Sequence, residues 1–299
     1  MIIFLLYTMY CLQVRETLYI MNTEIAWSLS RKLRRCFCGR AALLHYREAP
    51  LGRMADAPEF HRRIWAAHCR ISDRKFLRQL LLQVMHRQFT AGAVNTAALL
   101  PELLENFHSA FDRMLLGQAG YTLISPDGSG VDFEAKRREL SGKLQAYSNL
   151  LTLGDWEQLL AIAPEKRRTL PEVLELKINE LRCYASPLCA FSDHGKLHIV
   201  ELRGGEFAGF ESETALLHRF YAMNSCGRDP DKVESWVLDY ESGKIRRFGE
   251  DVDFSDGLAK ITLEAGIWKE LMDKNLSDII PDDPTKCANC VFGTVCRDL

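Results

Sequence analysis

The sequence predicts an α/β (α+β) protein in which helices flank a mixed sheet and a helical segment is inserted before the sheet. Residues 55–165 carry helical periodicity and helix caps, whereas apolar and polar residues alternate around hairpin turns from Leu170 onward. The chain has 299 residues, 47% hydrophobic and 26% charged, so it can bury a large core. Its net charge of −2 gives no overall sign of a polyanion partner, and no run of eighteen apolar residues predicts a transmembrane helix.

The first part of the chain predicts helices. Pro58-Glu59 and Ser72-Asp73 are typical helix starts. Pro101-Glu102 precedes apolar residues, such as Leu103 and Phe107, that recur at helical spacing. These signals predict helices over about 58–70, 72–91, 101–115, 133–151 and 155–162, with a loop at 125–130.

The second part predicts strands joined by tight turns. Val173–Tyr184 alternates apolar and polar residues, as one half-buried strand does. Asp193-His194-Gly195 and Ser242-Gly243 predict the turns of two hairpins, and Gly204-Gly205 ends the strand after the first turn. Two helices are predicted on either side of the second hairpin, over about 211–223 and 255–272.

The chain divides into an N-terminal extension, residues 1–25, and one domain, residues 26–299. The domain has its helical insert at about 55–165 and its core at about 170–299. Met1–Val14 is an apolar run with no positive charge before it and no cleavage site after it. We favour an upstream start that extends a protein beginning at Met21, and an export signal or an ordinary core segment is the alternative.

Residues 31–75 carry a local positive charge. The segment has twelve Arg and Lys against four Asp and Glu, a net charge of +8. Such a segment is either a solvated helical face or a patch that contacts phosphates. The second interpretation makes DNA a partner and nominates five cations to bind it: Arg31, Lys32, Arg34, Arg35 and Arg40.

Ten cysteines include a group near each end of the chain. Cys287, Cys290 and Cys296 form a C-x2-C-x5-C tail, while Cys36 and Cys38 lie near the other end. Three clustered thiols predict a metal site with a fourth ligand elsewhere, either zinc or an iron–sulfur cluster, and an unligated tail is the remaining alternative. Four scattered cysteines are predicted to be small buried apolar residues: Cys69, Cys183, Cys189 and Cys226.

The two ends together resemble a known family. A Ser-rich opening, the C-x-R segment Cys38–Arg40 and the C-x2-C-x5-C tail are similar to the iron–sulfur members of the PD-(D/E)XK nuclease superfamily, which include AddB-type helicase–nucleases and RecB-like exonucleases. The resemblance implies a restriction-endonuclease-like fold and a [4Fe–4S] cluster that joins the two ends. The implied cluster ligands are Cys38, Cys287, Cys290 and Cys296, with Cys36 as the alternative to Cys38.

The resemblance also places the family's catalytic positions on two predicted strands. Tyr184–Phe191 is similar to the metal-binding strand, but Leu188 stands in place of the metal-binding Asp. Ile199–Gly205 is similar to the following strand. There Glu201 keeps the second carboxylate, and Arg203 replaces the Lys.

Two helices carry the remaining family positions. His86 corresponds to a helical metal ligand of the RecB-like branch, so His86 and Glu201 are the implied metal ligands. On a later helix Leu217 takes the place of a Gln, and Tyr221 remains. The implied catalytic set is therefore a degenerate one, Glu201, Arg203 and Tyr221.

These substitutions predict weak or lost nuclease activity. Leucine offers no lone pair to Mg²⁺, and arginine cannot act as a base at any useful pH. Mg²⁺ or Mn²⁺ is expected only if activity persists, with Asp193, Glu211 or Glu213 as the substitute carboxylate. We therefore expect a cytoplasmic DNA-binding protein, with a helicase or another DNA-processing subunit as a further partner and no membrane. An active metal-dependent exonuclease and a structural subunit of a DNA-processing complex are the alternatives.

Overall fold

A computed structural model describes residues 26–90, 95–123, 132–152, 159, 162–168, 170–171, 173–178, 181–204, 210–249, 253–281 and 283–298. The N-terminal extension and the loop predicted at 125–130 lie outside these residues, as does nearly all of the helix predicted at 155–162. Within the described residues no helix has the length and apolar character needed to cross a membrane.

The described residues contain both helices and strands, which confirms the predicted mixed α/β class. The α-helices are α1 (Leu29–Phe37), α2 (Gly39–Leu43), α3 (Glu59–His68), α4 (Asp73–Thr90), α5 (Thr96–Leu115), α6 (Phe133–Thr152), α7 (Glu211–Cys226), α8 (Phe254–Met272) and α9 (Gly293–Arg297). The strands are β1 (Ala26–Ser28), β2 (Arg70–Ile71), β3 (Thr122–Leu123), β4 (Arg167–Arg168), β5 (Leu174–Ile178), β6 (Leu181–Ala185), β7 (Cys189–Asp193), β8 (Lys196–Arg203), β9 (Val233–Asp239) and β10 (Ile245–Phe248). A π-helical turn, Leu44–Glu48, and a 3-10 turn, Ala49–Arg53, continue the chain after α2.

The larger sheet is mixed and has the strand order β10-β9-β8-β7-β4. Strands β8 and β9 are parallel, and the other neighbours are antiparallel. The turn between β7 and β8 contains two residues with positive φ, His194 at 46° and Gly195 at 80°, which is the backbone that a two-residue hairpin requires. A second sheet has the order β1-β6-β5, and a third pairs β2 with β3.

The helical insert packs on one face of the larger sheet. Apolar residues of α4, α5 and α6 share one buried cluster with Leu188, Val200 and Leu202. Successive strand residues point to opposite faces, so the alternate residues of β8 face the other side, where α7 lies. The insert and α7 therefore cover opposite faces of the same strand.

The two ends of the described chain share a separate core. Cys38, Leu44 and Ile64 from the first helices pack with Phe292 and Val295 from the C-terminal tail, and all five are buried. Close by, Leu43 packs against Trp268 of α8. Apolar contact thus brings together segments that lie more than 200 residues apart in the sequence.

Two predicted elements differ from the structure. Helix α5 begins at Thr96 rather than near Pro101, because the Asn95 side chain caps it by accepting hydrogen bonds from the N–H groups of Ala97 and Ala98. The single strand predicted over 173–184 is two antiparallel strands, with Ile178 opposite Leu181. Both strands keep their apolar residues in the same core, but these residues stand at even positions in β5, such as Leu176, and at odd positions in β6, such as Cys183, so the alternation changes phase between the two strands.

Candidate functional site

The four cysteines implied as cluster ligands line one cavity. Cys38 lies between α1 and α2, and Cys287, Cys290 and Cys296 come from the tail. Apolar side chains such as Phe37 and Leu44 form part of the wall. Cys36 is exposed, and its Sγ lies 3.6 Å from Nη2 of Arg35 instead.

Consecutive backbone hydrogen bonds fold the cysteine tail into tight turns. The N–H of Cys290 donates to the carbonyl of Cys287 at 3.2 Å, and the N–H of Gly293 donates to the carbonyl of Cys290 at 2.9 Å. The N–H of Cys296 then donates to the carbonyl of Phe292 at 2.8 Å in the first turn of α9. All three cysteines of this folded tail line the cavity.

Two guanidinium groups, those of Arg34 and Arg40, lie close to the cavity thiols. Burial raises the pKa of Cys290, and the neighbouring Cys38 and Cys296 raise it further, so this thiol stays protonated until a metal binds it. Arg34 acts against this shift in the Cys290 pKa. Arg40 donates from Nη1 to Sγ of Cys296 at 3.6 Å and from Nε to the carbonyl of Ile279 at 2.6 Å. Four thiolates on a cluster carry excess negative charge, so cations and hydrogen-bond donors at this position fit such a group.

Glu201 belongs to a buried ion pair on β8. Arg203 binds Oε2 of Glu201 through Nε, at 2.5 Å, and through Nη2. His218 on α7 lies 3.1 Å from Oε1 through its Nε2, and its Nδ1 lies 2.9 Å from the Ser235 hydroxyl. Burial would raise the pKa of Glu201, but Arg203 and His218 outweigh it and lower that pKa to about 2.

The protein gives this carboxylate little capacity for a metal ion. Glu201 is ionised and can only accept hydrogen bonds, so Nε2 of His218 carries the proton between them. Both carboxylate oxygens are thus occupied by internal donors. Glu201, His218 and Ser235 have the hydrogen-bond order of a catalytic triad, yet each is no more than 4% exposed and no substrate can reach them.

The structure does not bring His86 and Glu201 together. His86 lies on α4, which packs on the insert side of the sheet, and its Nε2 donates to the carbonyl of Leu170 at 2.8 Å. Glu201 projects from the opposite face of β8, toward α7. His86 and Leu188 instead line a cavity of about 440 Å³ between the insert and the sheet. Across the described part of the chain, no three His, Cys, Asp or Glu side chains are arranged to hold a metal ion, and this applies to His86 with Glu201 and to the four cavity cysteines alike.

The other implied catalytic residues lie near this network without joining it. Leu217 is buried in one apolar cluster with Trp27 and residues of the three-stranded sheet, such as Leu176. Tyr221 is half-buried, and burial raises its pKa, as does Cys226. The substitute carboxylates each contact a cation: Asp193 with Lys166 at 3.1 Å, Glu211 with Arg246 at 3.1 Å and Glu213 with Lys32 at 2.6 Å.

Most of the cations nominated for DNA have internal contacts. Arg35 binds the Glu264 carboxylate with both oxygens at 2.7–2.8 Å from its Nη2, and Lys32 pairs with buried Glu213. Arg31 donates to the carbonyl of Ala26 at 2.8 Å. Arg34 lies close enough to His45 and His68 to lower the pKa of each. We interpreted the positive segment either as a solvated helical face or as a patch that contacts phosphates. Neither interpretation predicted that its cations contact other residues of the protein.

Sequence reasoning missed the histidines that matter most to these sites. His218 was hidden because its partners on β8 and β9 are set by strand order rather than by spacing along the chain. The rings of His45 and His68 contact each other with their centroids 4.2 Å apart and their planes tilted by 35°. Burial and then nearby cations, Lys75 and Arg34 first, lower the pKa of His68 to about 4. No sequence motif marks any of the three.

Two of the scattered cysteines behave as predicted. Cys183 and Cys189 are buried, and burial raises the pKa of each to about 12. Cys69 and Cys226 are only partly buried.

In the comparisons with known proteins, no family model matches the chain and no curated protein matches it.

Proposed function

We propose that this protein is a DNA-binding member of the RecB-like PD-(D/E)XK nuclease superfamily that does not cleave DNA, with a [4Fe–4S] cluster joining its two ends. The observation that carries the proposal is that Cys38 and the three tail cysteines line one cavity. The mixed sheet with an antiparallel β7–β8 pair and a parallel β8–β9 pair is compatible with a restriction-endonuclease-like core. A helicase or another DNA-processing subunit is the proposed partner, and the cytoplasm the proposed location.

The donor set suits an iron–sulfur cluster. Cys38, Cys287, Cys290 and Cys296 supply four thiolates, the usual ligand set of a [4Fe–4S] cluster. The walls that Phe37, Leu44 and Phe292 contribute are apolar, which limits access of water to the site. When bound, the cluster would supply covalent cross-links between the chain ends. The apolar core that buries Cys38 holds these two ends next to each other.

The buried ion pair supports loss of cleavage. A hydrolytic site in this family needs two carboxylates and a lysine around Mg²⁺ or Mn²⁺. Here Leu188 has no ligand atom, and Arg203 and His218 take both oxygens of Glu201. Arg203 thus supplies the positive charge that a metal ion supplies in an active relative.

One experiment tests DNA binding and cleavage together. Protein purified without oxygen is titrated into labelled single-stranded and double-stranded DNA while the KCl concentration is raised. We expect log K to fall linearly with log salt, by about 0.7 to 0.9 per phosphate contacted. The same mixtures with Mg²⁺ or Mn²⁺ are expected to show no cleavage above a metal-free control.

The outcomes separate the alternatives. Cleavage by the wild type that Glu201→Gln abolishes would establish the active exonuclease instead. Absence of salt-dependent DNA binding would leave the structural subunit. That second function has one observation in its favour, an apolar stripe along α8 in which Leu263 is 66% exposed beside Leu258 and Ile267.

A further inference from the structure

The cavity between the insert and the sheet has a polar rim over an apolar floor. Its volume is about 440 Å³, within the range of small-molecule sites. Phe76, Leu80 and Leu188 line it and are no more than 4% exposed. Lys75 and Gln83 also line it but are exposed, so they stand where the cavity meets solvent.

Helix α4 presents one continuous stripe to this cavity. Lys75, Gln79, Gln83 and His86 all line it, and they follow one another at intervals of four, four and three residues. Residues at these intervals share one face of an α-helix. The stripe is therefore a built surface that combines a cation with two amides.

The charge of the lining favours an anion. Lys75 and Arg113 carry positive charge at neutral pH, and none of the described lining residues is Asp or Glu. A concave site lined by one sign of charge concentrates ligands of the opposite sign. Two cations match the charge of a single phosphate group.

The remaining chemistry favours a base attached to that phosphate. The amides of Gln79, Gln83 and Gln118 each offer a donor and an acceptor, the groups that read the edges of bases. Tyr121 lines the cavity with its ring 6.0 Å from that of Phe76, and burial raises its pKa, so its hydroxyl stays a donor. Aromatic and apolar surface of this kind accepts the flat face of a base.

We propose that this cavity binds one nucleoside monophosphate unit, with its base over the apolar floor and its phosphate at the cationic rim. The unit is either a free nucleotide or the terminal residue of a DNA strand, and the second source rests on the DNA-binding function proposed above. Nothing in the site requires a metal ion or the Glu201 network, because the cavity lies on the other face of the sheet.

The test is a calorimetric titration of the full chain, purified without oxygen, with dAMP, dGMP, dCMP, dTMP and inorganic phosphate. We expect at least one deoxynucleotide to bind more tightly than phosphate alone. Lys75→Gln and Arg113→Gln are each expected to weaken nucleotide binding about tenfold. Arg87→Gln is the matched control, because Arg87 is an exposed cation on the same helix that pairs with Glu102 instead.

Three results would overturn the proposal: no nucleotide binds, phosphate binds as tightly as every nucleotide, or the two cavity variants behave like Arg87→Gln. If a 5′-phosphorylated oligonucleotide displaces the bound deoxynucleotide, the ligand is the end of a DNA strand. If it does not, the ligand is a free nucleotide. Salt-dependent DNA binding without nucleotide binding would overturn this inference alone. Nucleotide binding without DNA binding would overturn the DNA-binding function alone.

Discussion

Glu201 is a buried carboxylate whose hydrogen-bond partners all come from within the protein. Its carboxylate lies on a central strand of the larger sheet, yet Arg203 and His218 satisfy it from within the protein. A buried ion pair of this kind does little to raise stability over apolar residues, but breaking it leaves an uncompensated charge. The pair therefore makes Arg203 a structural residue.

Replacing Arg203 tests that role. Arg203→Met is expected to lower the free energy of unfolding by about 3–5 kcal/mol, because Glu201 stays buried without its cation. Arg203→Lys keeps the charge and is expected to cost less. Urea unfolding followed by circular dichroism measures both changes. Arg62→Met, which removes an exposed pair with Glu59, is the control and is expected to cost at most about 1 kcal/mol. An equally small loss for Arg203→Met would contradict the structural role.

His68 gives the protein a pH dependence in the mildly acidic range. Its pKa is about 4 in the folded protein and about 6.5 when unfolded, because burial and then Lys75 and Arg34 disfavour its charged form. Between these values the unfolded chain binds the extra proton, so the free energy of unfolding falls as the pH drops from 6.5 toward 4. The loss from this residue is on the order of 3 kcal/mol.

The measurement is urea unfolding at several pH values for the wild type and His68→Gln. The variant is expected to lose less stability than the wild type between pH 6.5 and pH 4. His45, whose pKa burial and Arg34 also lower, leaves part of the slope in both proteins. Parallel pH profiles would show that His68 titrates as it does in water.

At the scale of elements, the C-terminal tail depends on a close backbone approach. A Cβ atom on Gly293 would lie 2.5 Å from the carbonyl oxygen of Cys287, a distance that real Cβ atoms do not adopt. The same carbonyl accepts the N–H of Cys290, so moving it would disturb two of the cavity's cysteines. The absence of a side chain at Gly293 therefore allows the close approach of its backbone to the Cys287 carbonyl.

Gly293→Ala is expected to lower iron content per chain and to destabilise the fold, by about 1–3 kcal/mol if the backbone shifts only partly. Gly266→Ala on α8 is the matched control. A Cβ there meets nothing within 4 Å, so the substitution is expected to be neutral or to stabilise the helix by up to about 1 kcal/mol. Iron analysis and thermal unfolding compare the two. Unchanged iron in Gly293→Ala would contradict the tight-tail geometry.

The helices and turns that were predictable from the sequence are those whose signals lie in neighbouring residues. Helices α3, α4 and α6 and the hairpin turn at His194 were predictable, because caps, periodicity and turn residues are local. The start of α5 was not, since Pro101 resembles a first-turn proline although Asn95 provides the cap. The Glu201–His218 contact depends on packing α7 over β8, which no spacing encodes.

At the scale of the whole molecule, the first and last described segments form one core. Cys38 and Cys287 line the same cavity, although almost the entire domain lies between them in the sequence. A cross-link that closes so long a loop removes conformational freedom mainly from the unfolded chain. The proposed cluster would therefore stabilise the domain as a unit and hold Phe292 and Val295 in the shared core.

Iron content and spectrum of anaerobically purified protein test this central claim most directly. The wild type is expected to be brown and to contain about four irons per chain. Cys38→Ser is expected to lose the [4Fe–4S] spectrum, whereas Cys36→Ser, two residues away and exposed, is expected to retain it. Stoichiometric zinc without visible absorbance, or a spectrum that depends on Cys36 rather than Cys38, would contradict the account.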